Sequence, residues 1–227
     1  MEIVIHACPE RMWYVDGFLV PALKAQGAGS IEIWNDEAGL GCLRSCMECF
    51  AARKGGGGAW HIQDDVLISS RFVETARAND EGVVWGFCCE YFLDDPDLCG
   101  RVYMEDAWHS FQCVRIPHAR ARECAEWFFS RAWEAESPNT ELELLKGSDR
   151  GDDTFFREFL LCRHGTETVV NLRPNIVEHV DLLLGGSVLH PYRDYRATAH
   201  WWDEKNLTAQ LRADLKARRL GSWADAH

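Results

Sequence analysis

The 227-residue chain has no apolar run approaching the roughly 20 residues that a membrane-spanning helix needs, so no span is expected. Its opening, Met1-Glu2-Ile3-Val4-Ile5-His6, lacks the basic segment of a secretion signal and reads at once as a strand. Positive charge is scarce: 24 Lys and Arg stand against 36 Asp and Glu, a net charge of -12. That excludes broad, non-specific binding to nucleic acid, although it leaves room for a local basic patch. No internal repeat is present.

What remains is ordinary globular material. The chain is 47% hydrophobic and 26% charged, enough for a core without disulfides or structural metals. Without a signal, the ten cysteines read as reduced cytosolic thiols. Cys42, Cys46 and Cys49 share a helix face. A zinc site on Cys46-x-x-Cys49 needs a second ligand pair, and no clean one follows, so buried free thiols are expected.

Short β-branched runs alternate with helical spacing over the first ninety or so residues. Strands are expected at residues 2–7, 30–34, 59–62 and 82–91. Helices are expected at residues 11–26, 42–53 and 71–78. Beyond them the pattern predicts a strand over 111–116, one long helix over 119–135, a helix over 154–162, a strand over 168–172 and a terminal helix over 208–219. The alternation implies a largely parallel sheet flanked by helices. Such sheets bind ligands beyond the carboxyl ends of their strands. Three polar stretches fall there: Ala7 to Arg11, Asn35 to Glu37, and Gln63 to Asp65.

The last of these holds the residues around which the functional reading turns. Asp64 and Asp65 lie between the apolar runs Ala59–Ile62 and Val66–Ile68. Ionised carboxylates are rarely buried unless something pairs with them, and a divalent cation is a common partner. Mg²⁺ or Mn²⁺ suits oxygen ligands of this kind. Other features have plainer readings. Gly55 to Gly58 precede a strand, not a helix N-terminus, and read as a surface loop. Asp94-Asp95-Pro96-Asp97 reads as a solvated turn. His61, between Trp60 and Ile62, reads as a core or rim residue. Trp108 and His109 are candidates to line an acceptor pocket, and the region from Tyr192 to Trp202 is a candidate lid.

The N-terminal strand, Trp34-Asn35-Asp36 and His61-Ile62-Gln63-Asp64-Asp65-Val66 together resemble a nucleotide-sugar glycosyltransferase of the GT-A fold. Gln112-Cys113-Val114-Arg115-Ile116-Pro117 and Pro174-Asn175-Ile176-Val177-Glu178-His179, followed by Ser187, are similar to later segments of such enzymes. The resemblance spans roughly residues 2–190 and implies one GT-A-like, Rossmann-like α/β domain with a mostly parallel sheet. Residues 191–227 would form a C-terminal helical extension. It further implies that Asp65 binds Mn²⁺ or Mg²⁺, with His179 approaching the metal or diphosphate. Asp64 would face the ribose or sugar, Asn35 and Asp36 the nucleotide, and Arg11 the base or phosphates. The implied donor is a nucleoside-diphosphate sugar, a UDP-sugar first, and the acceptor a hydroxyl on a glycan, a protein, a lipid-linked sugar or a modified base in DNA. The sequence departs from the family at Gln63, where an acid is usual.

An inverting transfer also needs a base. Asp152 and Asp153 open a helix after a polar stretch and are the candidates, with ordinary helix capping as the alternative. Two other classes stay open: metal-dependent phosphoester hydrolysis or nucleotidyl transfer, and a non-catalytic nucleotide-sugar-binding protein. The small size and lack of an expected anchor fit a cytoplasmic enzyme of a bacterium or of a virus-infected cell.

Overall fold

A computed structural model of the chain describes residues 1–86, 100–103, 111–137, 151–165, 168–172, 174–185 and 202–224. Its centre is a seven-stranded sheet in the order β2-β1-β3-β7-β5-β8-β6. The strands are β1 Glu2–Ala7, β2 Ser30–Asn35, β3 Gly58–Gln63, β5 Val84–Trp85, β6 Gly100–Tyr103, β7 Cys113–Pro117 and β8 Thr168–Asn171. β4 (Val66–Ile68) and β9 (Val177–His179) form a separate antiparallel pair. β1 is parallel to both β2 and β3. Beyond β3 the sheet reverses at β7, reverses back at β5 and β8, and ends on the reversed β6. Five of the seven strands therefore run one way, the mostly parallel α/β sheet that the alternation implies.

Period-two alternation decides the two faces. Ile3, Ile5, Trp60 and Ile62 point to one side, where they meet Tyr14, Val15, Leu19 and Leu23 of the first helical segment, α1 (residues 9–25), and Phe72 and Ala76 of α3 (Phe72–Ala78). The other face packs Val114 and Ile116 against Met47 and Phe50 of α2 (Cys42–Ala52), Trp127 of α4 (His118–Phe129) and Phe156 of α6 (Asp152–His164). The short helices α5 (Trp133–Glu136) and α7 (Asp181–Leu184) complete the covering layers with the terminal α8 (Lys205–Ala224). Leu211 and Leu215 of α8 are buried in the same cluster as Tyr14, and Arg218 lies 4.5 Å over the Phe18 ring.

Two helices differ from the expected ones. α1 widens into a π turn over Val15–Leu19, closed by the Val20 N–H bonding to the Val15 carbonyl. Pro21 gives the reason: it has no N–H to donate, and its ring crowds the carbonyl of Gly17 four residues back, so a regular turn cannot form there. The long helix expected over 119–135 breaks into α4 and α5 at Arg131, whose φ of 60° is left-handed. The break carries Trp133 to within 6.0 Å of the Phe155 ring. Of the strand expected over 82–91, Val84–Trp85 is a strand, and residues 87–91 lie outside the described residues. So do Asp94 to Asp97, Trp108, His109, Ser187 and the candidate lid up to Trp201.

No helix among the described residues is long and apolar enough to cross a membrane. Gly86 follows β5 in a closely packed place. A Cβ there would lie 2.6 Å from Cys113 Sγ and 2.7 Å from Ile176 Cγ1. Gly86→Ala is expected to cost about 1–3 kcal/mol by overpacking, read as a lower urea midpoint. Gly56→Ala, with nothing within 4 Å of its Cβ, stays within about 0.5 kcal/mol of the parent.

Candidate active site

The register of the three parallel strands sets Ala7 opposite Asn35 and His6 opposite Gln63. The three polar stretches expected at the strand ends therefore lie along one rim. Asp64 and Asp65 form the tight turn between β3 and β4. The sequence requires a partner for them, and α1 supplies one. Arg11 Nη1 lies 2.6 Å from Asp65 Oδ2 and 3.2 Å from Asp64 Oδ1. Both carboxylates and the guanidinium are largely buried, with side chains 10%, 13% and 7% exposed in the order Asp64, Asp65, Arg11. The Cys8 N–H donates to Asp64 Oδ2 at 2.8 Å, so the end of β1 holds the acid pair from a second direction.

His179 arrives from β9. Val66 pairs with His179 across the β4–β9 ladder, and the Val180 N–H donates to the Asp65 carbonyl at 2.8 Å. The imidazole Nε2 then sits 3.1 Å from Asp65 Oδ2, with Asp181 Oδ1 at 3.9 Å. The Tyr14 hydroxyl donates to the Val66 carbonyl at 2.8 Å and fixes α1 on this turn. Asp65, Arg11, Asp64 and His179 are thus one contiguous cluster, drawn from three separated parts of the chain.

Burial and charge oppose each other within it. Burial disfavours the Asp65 carboxylate, but His179 and Arg11 outweigh that cost and hold its pKa well below the usual carboxylate range. For Asp64, burial comes first and the neighbouring Asp65 second, and they push its pKa up to about 6 against the pull of Arg11 and the Cys8 N–H. Burial works against charge on His179, yet Asp65 overcomes it and raises the pKa above the ordinary histidine value.

Asp152 stands on the same rim. It is the first residue of α6, and Gln63 Nε2 donates to its Oδ2 at 3.3 Å. This gives the departure at Gln63 a physical reason: an acid there would face a carboxylate, whereas an amide donates to it. The Cys42 thiol also donates to Asp152. Burial, followed by the adjacent Asp153, raises the Asp152 pKa to about 7. The N-cap is Gly151, so Asp152 is not the capping residue. Asp153 instead accepts from the Thr154 N–H at 2.7 Å, a local turn contact.

Asn35 and Asp36 sit at the end of β2. The Asp36 carboxylate accepts from the N–H groups of Leu40 and Gly41, both at 2.8 Å, and shapes its own loop. Asn35 Nδ2 lies 3.4 Å from Glu37 Oε1, and its buried Oδ1 has no hydrogen-bond partner among the described residues.

A hard cation has donors here. Asp65 Oδ1 is buried and accepts no hydrogen bond from the described residues, which leaves a carboxylate oxygen free for coordination. Asp65 Oδ1, and the His179 ring in its neutral form, could hold such an ion, whose remaining positions are commonly filled by water and phosphate oxygens. Among the described residues, the set of three donors whose ligand atoms lie within 4.8 Å of one another is elsewhere, at His6, Cys49 and His61. Reasoning from sequence missed the Arg11–acid pairing, the Cys8 N–H and the Gln63–Asp152 link. The position of Arg11 just past β1 was the available signal for the first.

No protein-family model and no curated protein matches the chain. Among solved structures it is similar to the galactosyltransferase LgtC in complex with donor and acceptor sugar analogs, at 12% identity and a TM-score of 0.49, over 94% of this chain and 96% of that one. An active-site mutant of LgtC matches at 13% identity and a TM-score of 0.43, with the same coverage. A Bacillus anthracis protein assigned as a glucose-1-phosphate thymidylyltransferase, in complex with a sucrose, matches at 11% identity and a TM-score of 0.38, over 76% of this chain and 87% of that one. These are likenesses of chain path.

The cluster makes stability depend on pH with a definite sign. The raised His179 pKa means that its contribution is complete below 6.5 and is lost as pH rises through the folded value. The depressed Asp65 pKa means that its contribution is present above 3.8 and is lost as pH falls. Asp65→Asn is therefore expected to remove the alkaline loss due to His179 and to cost about 3–5 kcal/mol near pH 6, since it leaves Arg11 buried beside a single acid. Urea unfolding of both proteins across pH 4 to 9, an experimental range of about five units, checks both effects.

Proposed function

We propose that the protein is a glycosyltransferase that moves a sugar from a nucleoside-diphosphate sugar, UDP-sugar first, to a hydroxyl acceptor. The observation that carries this reading is the convergence of Arg11, Asp64, Asp65, His179 and Asp152 on the carboxyl rim of β1 and β3. A diphosphate needs positive charge and a carboxylate-bound divalent ion; an attacking hydroxyl needs a proton acceptor. Both requirements have candidates within one short stretch of rim.

In this reading Asp65 and His179 hold Mn²⁺ or Mg²⁺, which when bound offsets the negative charge of the diphosphate leaving group. Arg11 balances the acid pair and offers its guanidinium to phosphate. Asp64, fixed by Cys8 and Arg11, faces the ribose or the sugar. Asn35 and Asp36 border the nucleotide at the end of β2. The acceptor oxygen attacks the anomeric carbon as the bond from that carbon to the phosphate oxygen breaks. The acceptor proton passes to Asp152, whose pKa of about 7 suits a base that must both take and release a proton near neutrality. Gln63 orients that carboxylate. We assign the catalytic work to residues 1–190 and treat 191–227 as an extension.

The test is release of nucleoside diphosphate from a panel of nucleotide sugars with Mn²⁺. UDP release that is abolished by EDTA and by Asp65→Ala supports the reading. If no nucleotide raises the melting temperature, with or without metal, the reading fails.

Asp152→Asn is expected to lower kcat by about 10²–10⁴-fold with little change in KM. The same variant is expected to be more stable than the parent at pH 8, by up to about 4 kcal/mol, because it removes a buried charge. The difference narrows as pH falls below 7 and vanishes below 3.8, where Asp152 is protonated in the folded and the unfolded chain alike. Loss of activity without this pH-dependent stabilisation argues against Asp152 as the base.

A further inference from the structure

The face of β1 and β3 opposite Ile3 and Trp60 carries an unusual set of side chains. His6 of β1 and His61 of β3 are diagonal neighbours, since His6 is paired with Gln63 and His61 with Val4. His6 Nε2 lies 2.8 Å from His61 Nδ1. Cys49 of α2 closes the group, and one ligand atom from each of the three residues lies within 4.8 Å of the others. His61 and Cys49 are both 0% exposed. His61 Nε2 is buried with no hydrogen-bond partner among the described residues. Apolar side chains line most of it: Phe50 stands 5.0 Å from the His61 ring, Phe111 6.3 Å from the His6 ring, and Val4 and Ala59 pack on Cys49, while the buried Arg53 Nε donates to the Cys49 carbonyl at 3.0 Å.

We propose that His6, Cys49 and His61 form a buried binding site for a thiophilic d¹⁰ metal ion, Zn²⁺ or Cu⁺, distinct from the rim cluster. Two imidazoles and a thiolate are donors that select such ions over Mg²⁺ or Mn²⁺. Zn–N bonds of about 2.0–2.1 Å and a Zn–S bond of about 2.3 Å place tetrahedral donors roughly 3.3–3.6 Å apart. The 2.8 Å His–His contact must open by about half an ångström, and the other separations, all within 4.8 Å, must settle into the same range. Both lie within the reach of side-chain rotation.

The neutral histidine rings favour the ion, and the thiol must give up its proton to bind it. Burial, then the Arg53 charge, lowers the His6 pKa to about 4, and burial holds His61 well below the usual histidine value, so both rings are neutral at pH 7. Cys49 is a thiol, its pKa pushed up to about 12 by burial. Binding therefore breaks the S–H bond, forms the S–metal bond and releases one proton to solvent. A Cu⁺ thiolate is neutral and needs no further donor in an apolar core. A Zn²⁺ thiolate keeps one positive charge and takes a fourth ligand. His6 is two residues before Cys8 and His61 three before Asp64, so the ion would tie β1 to β3 just below the rim.

The full chain is purified anaerobically with reductant and without chelator, and its bound metals are counted by mass spectrometry before EDTA removes them. Metal-free protein is then titrated with Co²⁺ as an optical stand-in for Zn²⁺, and with Cu⁺ against a chromophoric competitor. One equivalent of Zn²⁺ or Cu⁺, a thiolate-to-cobalt charge-transfer band and one proton released per ion are expected. Cys49→Ser abolishes the band, His61→Gln weakens binding at least tenfold, and Cys46→Ala, one helical turn away, leaves both intact. Cys49→Ala, which removes the thiol without adding volume, separates loss of a ligand from loss of folding when paired with circular dichroism. If neither ion binds at one equivalent, or if the band survives Cys49→Ser, the proposal is wrong. None of these readouts depends on sugar transfer.

Discussion

A guanidinium buried between two carboxylates is the interaction that the rest of the rim depends on. Asp64 and Asp65 are adjacent, largely buried and mutually repulsive, and neither strand beside them supplies a compensating charge. Arg11 does so from α1 at 2.6 and 3.2 Å, with the Cys8 N–H and the His179 ring on the remaining sides. Breaking such a buried group by removing one partner costs far more than the group contributes as a whole. The β3–β4 turn, the start of α1 and the β4–β9 ladder are consequently held to a common geometry. The widened turn at Val15–Leu19 lets α1 remain a continuous support despite Pro21, so Tyr14 and Arg11 both reach the same turn.

Electrostatics also separates the rim carboxylates by role. Asp65 stays ionised because Arg11 and His179 face it. Asp152 faces an amide and a thiol, so it holds a proton far more readily. One rim thus carries an aspartate held ionised and another that titrates near neutrality. The difference arises from partners and burial, since both residues are aspartates. Gln63 lies between the two functions: it ends β3, leads into the acid pair and donates to Asp152.

Much of this was legible in the sequence. Alternating β-branched runs gave β1, β2 and β3 nearly to the residue, and parallel pairing then required the ends at Ala7, Asn35 and Gln63 to lie together. The acid pair inside an apolar frame announced a buried charge that needed a partner. The identity of that partner was not legible, because it depends on how α1 packs across the ends of the strands. The break at Arg131 was hidden for a similar reason: the apolar spacing of residues 119–135 is helical throughout, and tertiary contact between Trp133 and Phe155 overrides it. His61 read as a core residue because one ring among aromatics gives no sign of a second ring and a thiol facing it. The likeness of Gln63 to a missing acid was misleading until Asp152, 89 positions later, came into contact with it.

The contact between Asp65 and His179 closes across 114 positions of chain. On the ribosome the acid pair and Arg11 are therefore made long before the histidine that completes their cluster. During that interval the turn carries two carboxylates against one guanidinium, and the β4 edge has no strand beside it. The nascent chain can assemble β1, β2 and β3 early, yet the rim acquires its final charge only when β9 arrives. Synthesis order thus leaves the cluster without His179 until β9 has been made, and a product truncated before β9 would lack that contact.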